Sequence, residues 1–387
     1  MKMKVLYFLI SLFIVTFSST AWRDVGHGVV ASIALKNLTP KTKTEVEALL
    51  SKQIANPGYI KCNSANSQYN MVAIASWADL AKRGKWDEGK EFSKFYNGCH
   101  IISCSKKITN NDVLMTENMA EDLINFAVVD SEGSNVLTGI NSSIKTLELS
   151  QSPEQKAFAL RLLVHYSGDA ACPIHTADPI YYYYKGDEYE GFNTTGGNAF
   201  VFREPYFFKN IDGSNHKILN LHKFWDGMGG AYNQIAPYEG KIELTAEQIK
   251  YYNEISDELI EKYKNRHDEI NNNPDFKKLV IHSVVEGHNT ALPPRLFETS
   301  KYVKNNTWPY EQVLIDIPEE EYFNSTQRVS KEQIFRAGVM LGNILNAIFD
   351  PYNNKSQPAY VQYLDKIIQN NSLKELDALK NINVQFE

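Results

Sequence analysis

Two histidine–aspartate pairs in this sequence share the same four-residue spacing. The first pair is His165 and Asp169, and the second is His222 and Asp226. Residues four apart on an α-helix lie on the same face, so each pair can hold one ion or two adjacent ions. Imidazole nitrogens and carboxylate oxygens are the ligands that zinc takes in catalytic sites. The sequence therefore predicts two helical segments that carry metal ligands.

Other histidines and aspartates add to these pairs. His175 follows Pro173, which should end the first helix and turn the chain back toward the site. Upstream, Asp79 lies in the run Ser76-Trp77-Ala78-Asp79, and His100 follows Cys99. Each of these residues alone is more often a surface residue or a hydrogen-bonded core residue. As a set with the two pairs they are far more specific for metal binding.

The amino-terminal segment predicts an unusual ligand. Residues 1–21 have two lysines, an apolar run over residues 5–17 and a small-residue end, which are typical of a secretory signal peptide cleaved before Trp22. Cleavage would free an α-amino group with a pKa of about 8, whose nitrogen can bind a metal together with the Trp22 carbonyl oxygen. His27 is close enough to share that ion. The alternative is an ordinary mature amino terminus with an interfacial tryptophan.

The candidate metal ligands form one set of nine. They are Trp22, His27, Asp79, His100, His165, Asp169, His175, His222 and Asp226.

The apolar periodicity predicts a mainly α protein. Helices are expected over residues 29–50 with an interruption near Pro40, and over 71–83, 118–129, 142–149, 153–171, 246–265, 275–286, 331–349 and 359–379. A short strand or hairpin is expected over residues 198–208, after Gly196-Gly197. We therefore expect residues 22–387 to form a single domain of packed helices with a short β-hairpin.

An aromatic and acidic segment interrupts this pattern at about residues 178–195. It contains Tyr181, Tyr182, Tyr183 and Tyr184, followed by acidic residues. We expect a loop insertion here. It is either a surface excursion packed on its own rings or a lip that faces the substrate.

The four cysteines predict disulfides. Cys62, Cys99, Cys104 and Cys172 are an even number in a chain expected to be exported, so two disulfides are the default among three possible pairings. Proximity favours Cys99 with Cys104, which leaves Cys62 with Cys172. A thiolate zinc site is the less favoured interpretation, because the sequence has no Cys-x-x-Cys motif.

Charge and hydropathy exclude some function classes. The formal net charge is −6, which argues against a protein that binds DNA mainly by clustered lysine and arginine. Bound zinc ions would instead attract an anionic substrate locally. The apolar run near the amino terminus is too short to span a bilayer, and no later stretch approaches the roughly 20 apolar residues required. We expect an exported, secreted or periplasmic protein with no stable membrane association, and no protein partner is evident.

With these motifs the chain resembles the S1/P1 nuclease family of secreted tri-zinc nucleases and 3′-nucleotidases that prefer single strands. The matching segments are Trp22 with His27, Ser76-Trp77-Ala78-Asp79, Val164-His165 to Asp169 with Pro173 and His175, Gly196-Gly197-Asn198, Asn220-Leu221-His222 to Asp226, and Ala337-Gly338 to Leu345-Asn346. The resemblance implies a helical fold like that of P1 nuclease and phospholipase C.

The resemblance also implies three zinc ions per chain. One is held by Asp79, His100, His165 and Asp169; Asp169 bridges to a second, completed by the Trp22 nitrogen and oxygen and by His27; and His175, His222 and Asp226 hold the third. The implied reaction is hydrolysis of single-stranded DNA or RNA to 5′-nucleotides, with possible 3′-nucleotidase activity, through in-line attack by a zinc-bound hydroxide.

Substrate contacts can be assigned by the same resemblance. Asp79 and Lys82 are the candidate catalytic residues, and Lys82 would meet a phosphate oxygen as a point charge where the family often has arginine. Ile101 follows His100 where fungal members place an aromatic residue that stacks on a base, so it is the candidate at the base-binding position. Cys172 also departs from the family, which usually has a polar residue before Pro173.

Two other functions remain as alternatives. A zinc-dependent phospholipase C shares the terminal tryptophan, but its last ligand is typically glutamate and its first histidine lies farther from that tryptophan, so Asp226 and His27 favour the nuclease. A non-catalytic, zinc-stabilised secreted binding protein is the third hypothesis. It is less favoured because the Trp22 and His175 groups leave room for water, whereas structural zinc usually has four protein ligands.

Overall fold

The structure is a computed structural model. It describes residues 22, 24–52, 61–62, 70–82, 114–130, 135–177, 180–185, 188–234, 241–242, 244–305, 311–352 and 357–369. The predicted signal peptide at 1–21, together with Cys99, His100, Ile101 and Cys104, lies outside the described residues.

Helices make up most of the described chain, which confirms the mainly α prediction. They are α1 (Asp24–Asn37), α2 (Pro40–Leu50), α3 (Asn70–Ala73), α4 (Trp77–Lys82), α5 (Glu117–Asp130), α6 (Val136–Leu149), α7 (Pro153–Ala171), α8 (Pro173–Thr176), α9 (Leu221–Asp226), α10 (Ala246–Tyr263), α11 (His267–Asn272), α12 (Phe276–Glu286), α13 (Glu320–Phe349) and α14 (Gln357–Gln369). Shorter helical turns span Met228–Gly230, Lys264–Arg266, Gly287–Ala291 and Pro294–Phe297.

The strands are interspersed with the helices along the sequence, and there are more of them in the described residues than the one short hairpin that was expected. They are β1 (Lys61–Cys62), β2 (Ile180–Lys185), β3 (Glu188–Asn193), β4 (Phe200–Lys209), β5 (Asn215–Asn220), β6 (Lys241–Ile242), β7 (Lys301–Lys304) and β8 (Glu311–Ile315). β1 pairs with β6 in parallel, and a four-stranded sheet has the order β5-β4-β8-β7. The strand predicted over 198–208 corresponds to β4.

The sequence predicted a loop at about residues 178–195, but the described residues 180–185 and 188–193 form two strands. β2 and β3 pair in antiparallel register from Ile180 opposite Asn193 to Lys185 opposite Glu188. Tyrosine favours a pleated strand, so a run of four tyrosines pairs readily once a partner strand folds back on it. Tyr181 anchors this hairpin, because its ring packs against Phe192 and Phe200.

Helix α7 lies at the centre of the core. Its amino end is fixed by Ser152, whose side chain accepts a hydrogen bond from the Gln155 amide, and by Pro153 in the first turn. Every residue from 157 to 171 is buried, and a helix buried on all faces must be surrounded by other elements. α7 packs against α1, α6, α12 and α13. Two predicted metal ligands, His165 and Asp169, are therefore carried by the buried part of this helix.

The long helix α13 packs closely along α1. A Cβ atom built on Gly338 would lie 2.6 Å from the Ile33 Cβ and 3.0 Å from the Val30 carbonyl oxygen. Glycine at this position therefore sets the distance between the two helices. The proximity matters for function because α1 also carries His27.

No helix in the ranges given above combines the length and the apolar composition needed to cross a bilayer.

The packing of α13 on α1 predicts the effect of Gly338→Ala. Alanine should gain up to about 1 kcal/mol in helix propensity, but the clash with a branched side chain and a backbone oxygen costs about 1–3 kcal/mol. We expect lower stability in urea unfolding. Asn324→Ala, at an exposed position of α13, is the control and should not destabilise. An unchanged stability for Gly338→Ala would contradict the close packing.

Candidate metal centre

A first cluster of buried side chains forms where α1, α4 and α7 meet. His27 comes from α1, Asp79 from α4, and His165 and Asp169 from α7, and all four are buried. One ligand atom from each of His27, Asp79 and His165 lies within 4.8 Å of the others. These three helices thus bring residues distant in sequence to one point.

The distances within this cluster fit ligands of shared ions. His27 Nε2 is 3.5 Å from Asp169 Oδ1, and His165 Nε2 is 3.4 Å from Asp169 Oδ2. His165 Nε2 is also 3.8 Å from Asp79 Oδ1. These separations exceed an ordinary hydrogen bond. Two ligands of one tetrahedral zinc ion lie about 3.4 Å apart, so the spacing suits coordination better than direct pairing.

A break in the helix just before Asp79 fixes the orientation of the His165 ring. The helix predicted over 71–83 is divided into α3 and α4, with a turn at residues 74–76. The Ala75 carbonyl in this turn is 2.7 Å from His165 Nδ1. A carbonyl can only accept, so Nδ1 must carry the proton and Nε2 presents its lone pair to the cluster.

His27 is held as a neutral imidazole. Its ring stacks on His165 with the centroids 4.1 Å apart, and neither ring nitrogen has a hydrogen-bond partner within the described chain. Burial lowers the pKa of His27 well below its usual value, and the neighbouring imidazoles of His165 and His175 lower it further. Histidine binds a metal through the ring nitrogen that carries no proton, which is available in a neutral imidazole.

The absence of a side chain at Gly168 leaves room for the His27 ring. A Cβ atom at residue 168 would clash with His27 Nδ1. Any larger residue one position before Asp169 would therefore displace the imidazole that Asp169 faces.

Trp22 lies beside this cluster. It is fully buried, and its indole Nε1 has no hydrogen-bond partner among the residues described. A Cβ on Gly26 would lie 2.5 Å from the Trp22 Cβ. Trp22 therefore packs against the residue that precedes His27.

A second buried cluster is built from α8 and α9. His175 Nε2 is 3.7 Å from Asp226 Oδ1, and His222 Nε2 is 3.5 Å from Asp226 Oδ2. The two imidazole centroids are 4.8 Å apart. Asn220 caps α9, because its side chain accepts a hydrogen bond from the Lys223 amide. This cap fixes the helix that carries both His222 and Asp226.

A glycine turn orients His222 as Ala75 orients His165. Gly196 and Gly197 have φ values of +58° and +82°, a region that glycine enters without strain. The turn directs the Gly196 carbonyl to 2.6 Å from His222 Nδ1. His222 Nε2 is consequently left to face Asp226.

The two clusters are neighbours because a tight junction joins α7 to α8. The Cys172 amide donates to the Asp169 carbonyl, and the His175 amide donates to the Cys172 carbonyl, each at 3.0 Å. Burial raises the pKa of the Cys172 thiol well above its usual value, and Asp226 and Asp169 raise it further. The Cys172 thiol therefore interacts electrostatically with carboxylates from both clusters.

The predicted disulfide between Cys62 and Cys172 is wrong. Cys172 is a free, buried thiol, and its sulfur lies within 4.8 Å of ligand atoms of His175 and Asp226. The Cys172 side chain instead faces the polar cluster that contains His175 and Asp226. Cys99 and Cys104 belong to the part of the chain that is not described, so their pairing stays a prediction.

The structure brings most of the predicted site residues together and does not describe the side chains of the rest. The structure brings together His27, Asp79, His165, Asp169, His175, His222 and Asp226, with Trp22 alongside. Lys82 ends α4, where only the backbone is described, and His100 and Ile101 fall outside the described ranges. Of the four tyrosines, Tyr181 points into the sheet and its hydroxyl lies 3.0 Å from Ser300 Oγ.

Sequence analysis missed three contributors to the site. The Ala75 and Gly196 carbonyls have no signature in the sequence, because any residue supplies a carbonyl. Cys172 did have a signal: it stands three residues after Asp169 and three before His175.

A mainly α fold with two adjacent buried His/Asp clusters defines a candidate metal-dependent hydrolase. The S1/P1 Nuclease family model matches residues 22–350, which include both clusters. The chain therefore belongs to the S1/P1 nuclease family, as the resemblance implied.

Two curated proteins are similar to this chain. They are Nuclease P1 of Penicillium citrinum and Nuclease PA3 of a Penicillium species, each 27% identical over 157 residues. The matched region covers 40% of this chain and 47% of each relative. The chain thus spans about half the length of the curated relatives it matches.

The contact between Gly168 and His27 predicts the effect of Gly168→Ala. The added methyl group should displace the imidazole, so the variant should bind less metal per chain, measured by atomic emission. The control is Ser167→Ala, which removes a hydroxyl bonded to the Leu163 carbonyl of the same helix and adds no bulk. Equal metal content in the two variants would contradict a ligand role for His27.

Proposed function

We propose that this protein is a zinc-dependent phosphodiesterase that cleaves single-stranded DNA or RNA and also accepts 3′-nucleotides. The observation that carries the proposal is the adjacency of the two buried clusters across the α7–α8 junction, in a member of the S1/P1 nuclease family. Nuclease P1 and Nuclease PA3, to which the chain is similar, bear names that agree with this activity.

The donor set supports three zinc ions. The first cluster would hold two, with Asp169 shared between them, and His175, His222 and Asp226 would hold the third. Asp169 suits a shared role because each of its oxygens faces a different imidazole, Oδ1 toward His27 and Oδ2 toward His165. Zinc ions bound in these clusters would neutralise phosphate charge and lower the pKa of water to about 7.

The protein's own groups keep the ligands ready for this chemistry. The Ala75 and Gly196 carbonyls hold His165 and His222 with the Nε2 lone pairs facing the carboxylates. Burial keeps His27 neutral, so no proton has to leave it before it binds. The site is therefore preorganised before a substrate arrives.

The recessed position of the clusters favours a flexible substrate. His27, His165, His175 and His222 are all fully buried, so a phosphate must reach into the protein to meet ions held there. A single strand can splay its bases and bend its backbone, whereas a duplex is stiff. The net charge of −6 gives no general attraction for nucleic acid, so affinity has to come from the site itself.

Lys82, Ile101 and the β2–β3 hairpin are proposed substrate contacts. Lys82 ends the helix that carries Asp79, which itself is proposed to act in catalysis as a zinc ligand. Ile101 follows the proposed ligand His100 and would contact a base. The hairpin is proposed as a lip that faces the substrate, held by Tyr181.

Export is part of the proposal. Removal of residues 1–21 would leave Trp22 at the amino terminus, with 22–387 as the catalytic domain. The new amino nitrogen and the Trp22 carbonyl would then join His27 around one ion. The burial of Trp22 against Gly26, next to His27, supports this arrangement.

A panel of substrates tests the function. Protein that begins at Trp22 should contain three zinc ions and hydrolyse single-stranded DNA, RNA and a 3′-nucleotide faster than duplex DNA. Hydrolysis of phosphatidylcholine without nuclease activity would instead indicate a phospholipase C. Three bound zinc ions with no hydrolysis of any of these substrates would indicate a binding protein.

The shared role of Asp169 predicts the effect of Asp169→Asn. Loss of one charge between two ions should remove two zinc ions and lower activity on single-stranded DNA by at least about 100-fold. Asp212→Asn, at an exposed turn, is the control and should keep full metal content. Loss of one zinc ion or none from Asp169→Asn would argue against a bridging carboxylate.

The proposed terminal ligand predicts the effect of one extra residue before Trp22. An added alanine moves the amino group away from the ion, so zinc content should fall by one and activity by about 100-fold. An alanine added after Glu387 is the matched control. Undiminished activity in the extended protein would disprove the role of the amino nitrogen.

A further inference from the structure

Cys172 is unusual among buried cysteines because it lies in a polar cluster. Its sulfur is within 4.8 Å of ligand atoms of both His175 and Asp226, and all three residues are buried. It forms no disulfide. Three different donor types, sulfur, nitrogen and oxygen, thus converge on one small volume.

The backbone fixes Cys172 at this point. It stands between α7 and α8, where its amide donates to Asp169 and its carbonyl accepts from His175. Pro173 follows and restricts the chain further. The same junction positions His175, so the backbone of the two residues is held by one set of hydrogen bonds.

The chemistry of the three donors suits one cation. Zinc takes thiolate, imidazole and carboxylate ligands, with a sulfur bond of about 2.3 Å and nitrogen or oxygen bonds of about 2.0–2.2 Å. Binding requires the thiol to release its proton to solvent as the sulfur–metal bond forms, with no change in oxidation state. A soft sulfur donor favours zinc, cobalt and cadmium over magnesium and manganese.

We propose that the Cys172 sulfur binds the same cation as His175, His222 and Asp226. This inference rests on the proposed function, since it assumes that the second cluster holds a metal ion. Cys172, His175 and Asp226 have donor atoms within 4.8 Å of one another, and His222 would join them through its Nε2, which is 3.5 Å from Asp226 Oδ2. The cysteine makes this ion tightly held and selective for thiophilic metals.

Cobalt absorption tests the proposal directly. The protein is stripped with a chelator and reloaded with Co²⁺, which gives an intense near-ultraviolet charge-transfer band only when a thiolate is bound. We expect the band in the unaltered protein and in Cys62→Ser, which removes a different sulfur. Cys172→Ser and Cys172→Ala should lose it while keeping the visible bands of cobalt in the remaining sites.

Metal competition gives a second readout that does not depend on activity. The preference of the second cluster for Cd²⁺ over Mn²⁺ should fall at least about tenfold in Cys172→Ser. The rise in melting temperature on adding Cd²⁺ should shrink by more than the melting temperature of the chelated protein changes. A merely structural cysteine would lower both forms equally, and that result would overturn the proposal.

The outcomes separate this inference from the proposed function. If cobalt-loaded protein cleaves single-stranded DNA but shows no thiolate band, Cys172 is not a ligand and the proposed function stands. If the band persists in Cys172→Ser, another sulfur is responsible and the inference is wrong. If the unaltered protein takes up no cobalt, both the inference and the metal-dependent function are wrong.

Discussion

The site depends on the way α7 ends. Within seven residues the chain presents Asp169 to one cluster, turns at Pro173 and presents His175 to the other. Because α7 is buried on all faces, both clusters sit in the interior. Carboxylates there are costly unless they are paired or bind a metal. Bound cations would therefore stabilise the buried carboxylates that the packed helices bring together.

Regular secondary structure is interrupted at two points beside the candidate metal site. The α3–α4 break releases the Ala75 carbonyl, and the Gly196-Gly197 turn directs the Gly196 carbonyl, each toward a histidine Nδ1. Such departures from regular structure are expected at functional sites. In both cases the same consequence follows: the proton is held on Nδ1, and Nε2 is available to a metal.

The sequence predicted the mainly helical class, and the four-residue spacing correctly placed His165 with Asp169 and His222 with Asp226 on shared helix faces. The sequence did not predict the features that depend on contacts between residues distant in the chain. The tyrosine-rich segment forms a hairpin rather than a loop, β7 and β8 join a sheet that was not expected, and Cys172 remains a thiol. None of these outcomes follows from local periodicity.

Anomalous diffraction at the zinc absorption edge, from crystals of the chain that begins at Trp22, would show whether the two clusters hold zinc. We expect anomalous peaks between Asp169 and the imidazoles of His27 and His165, and another between Asp226 and the imidazoles of His175 and His222. No peak in either place, with these side chains bonded directly to one another, would contradict this expectation.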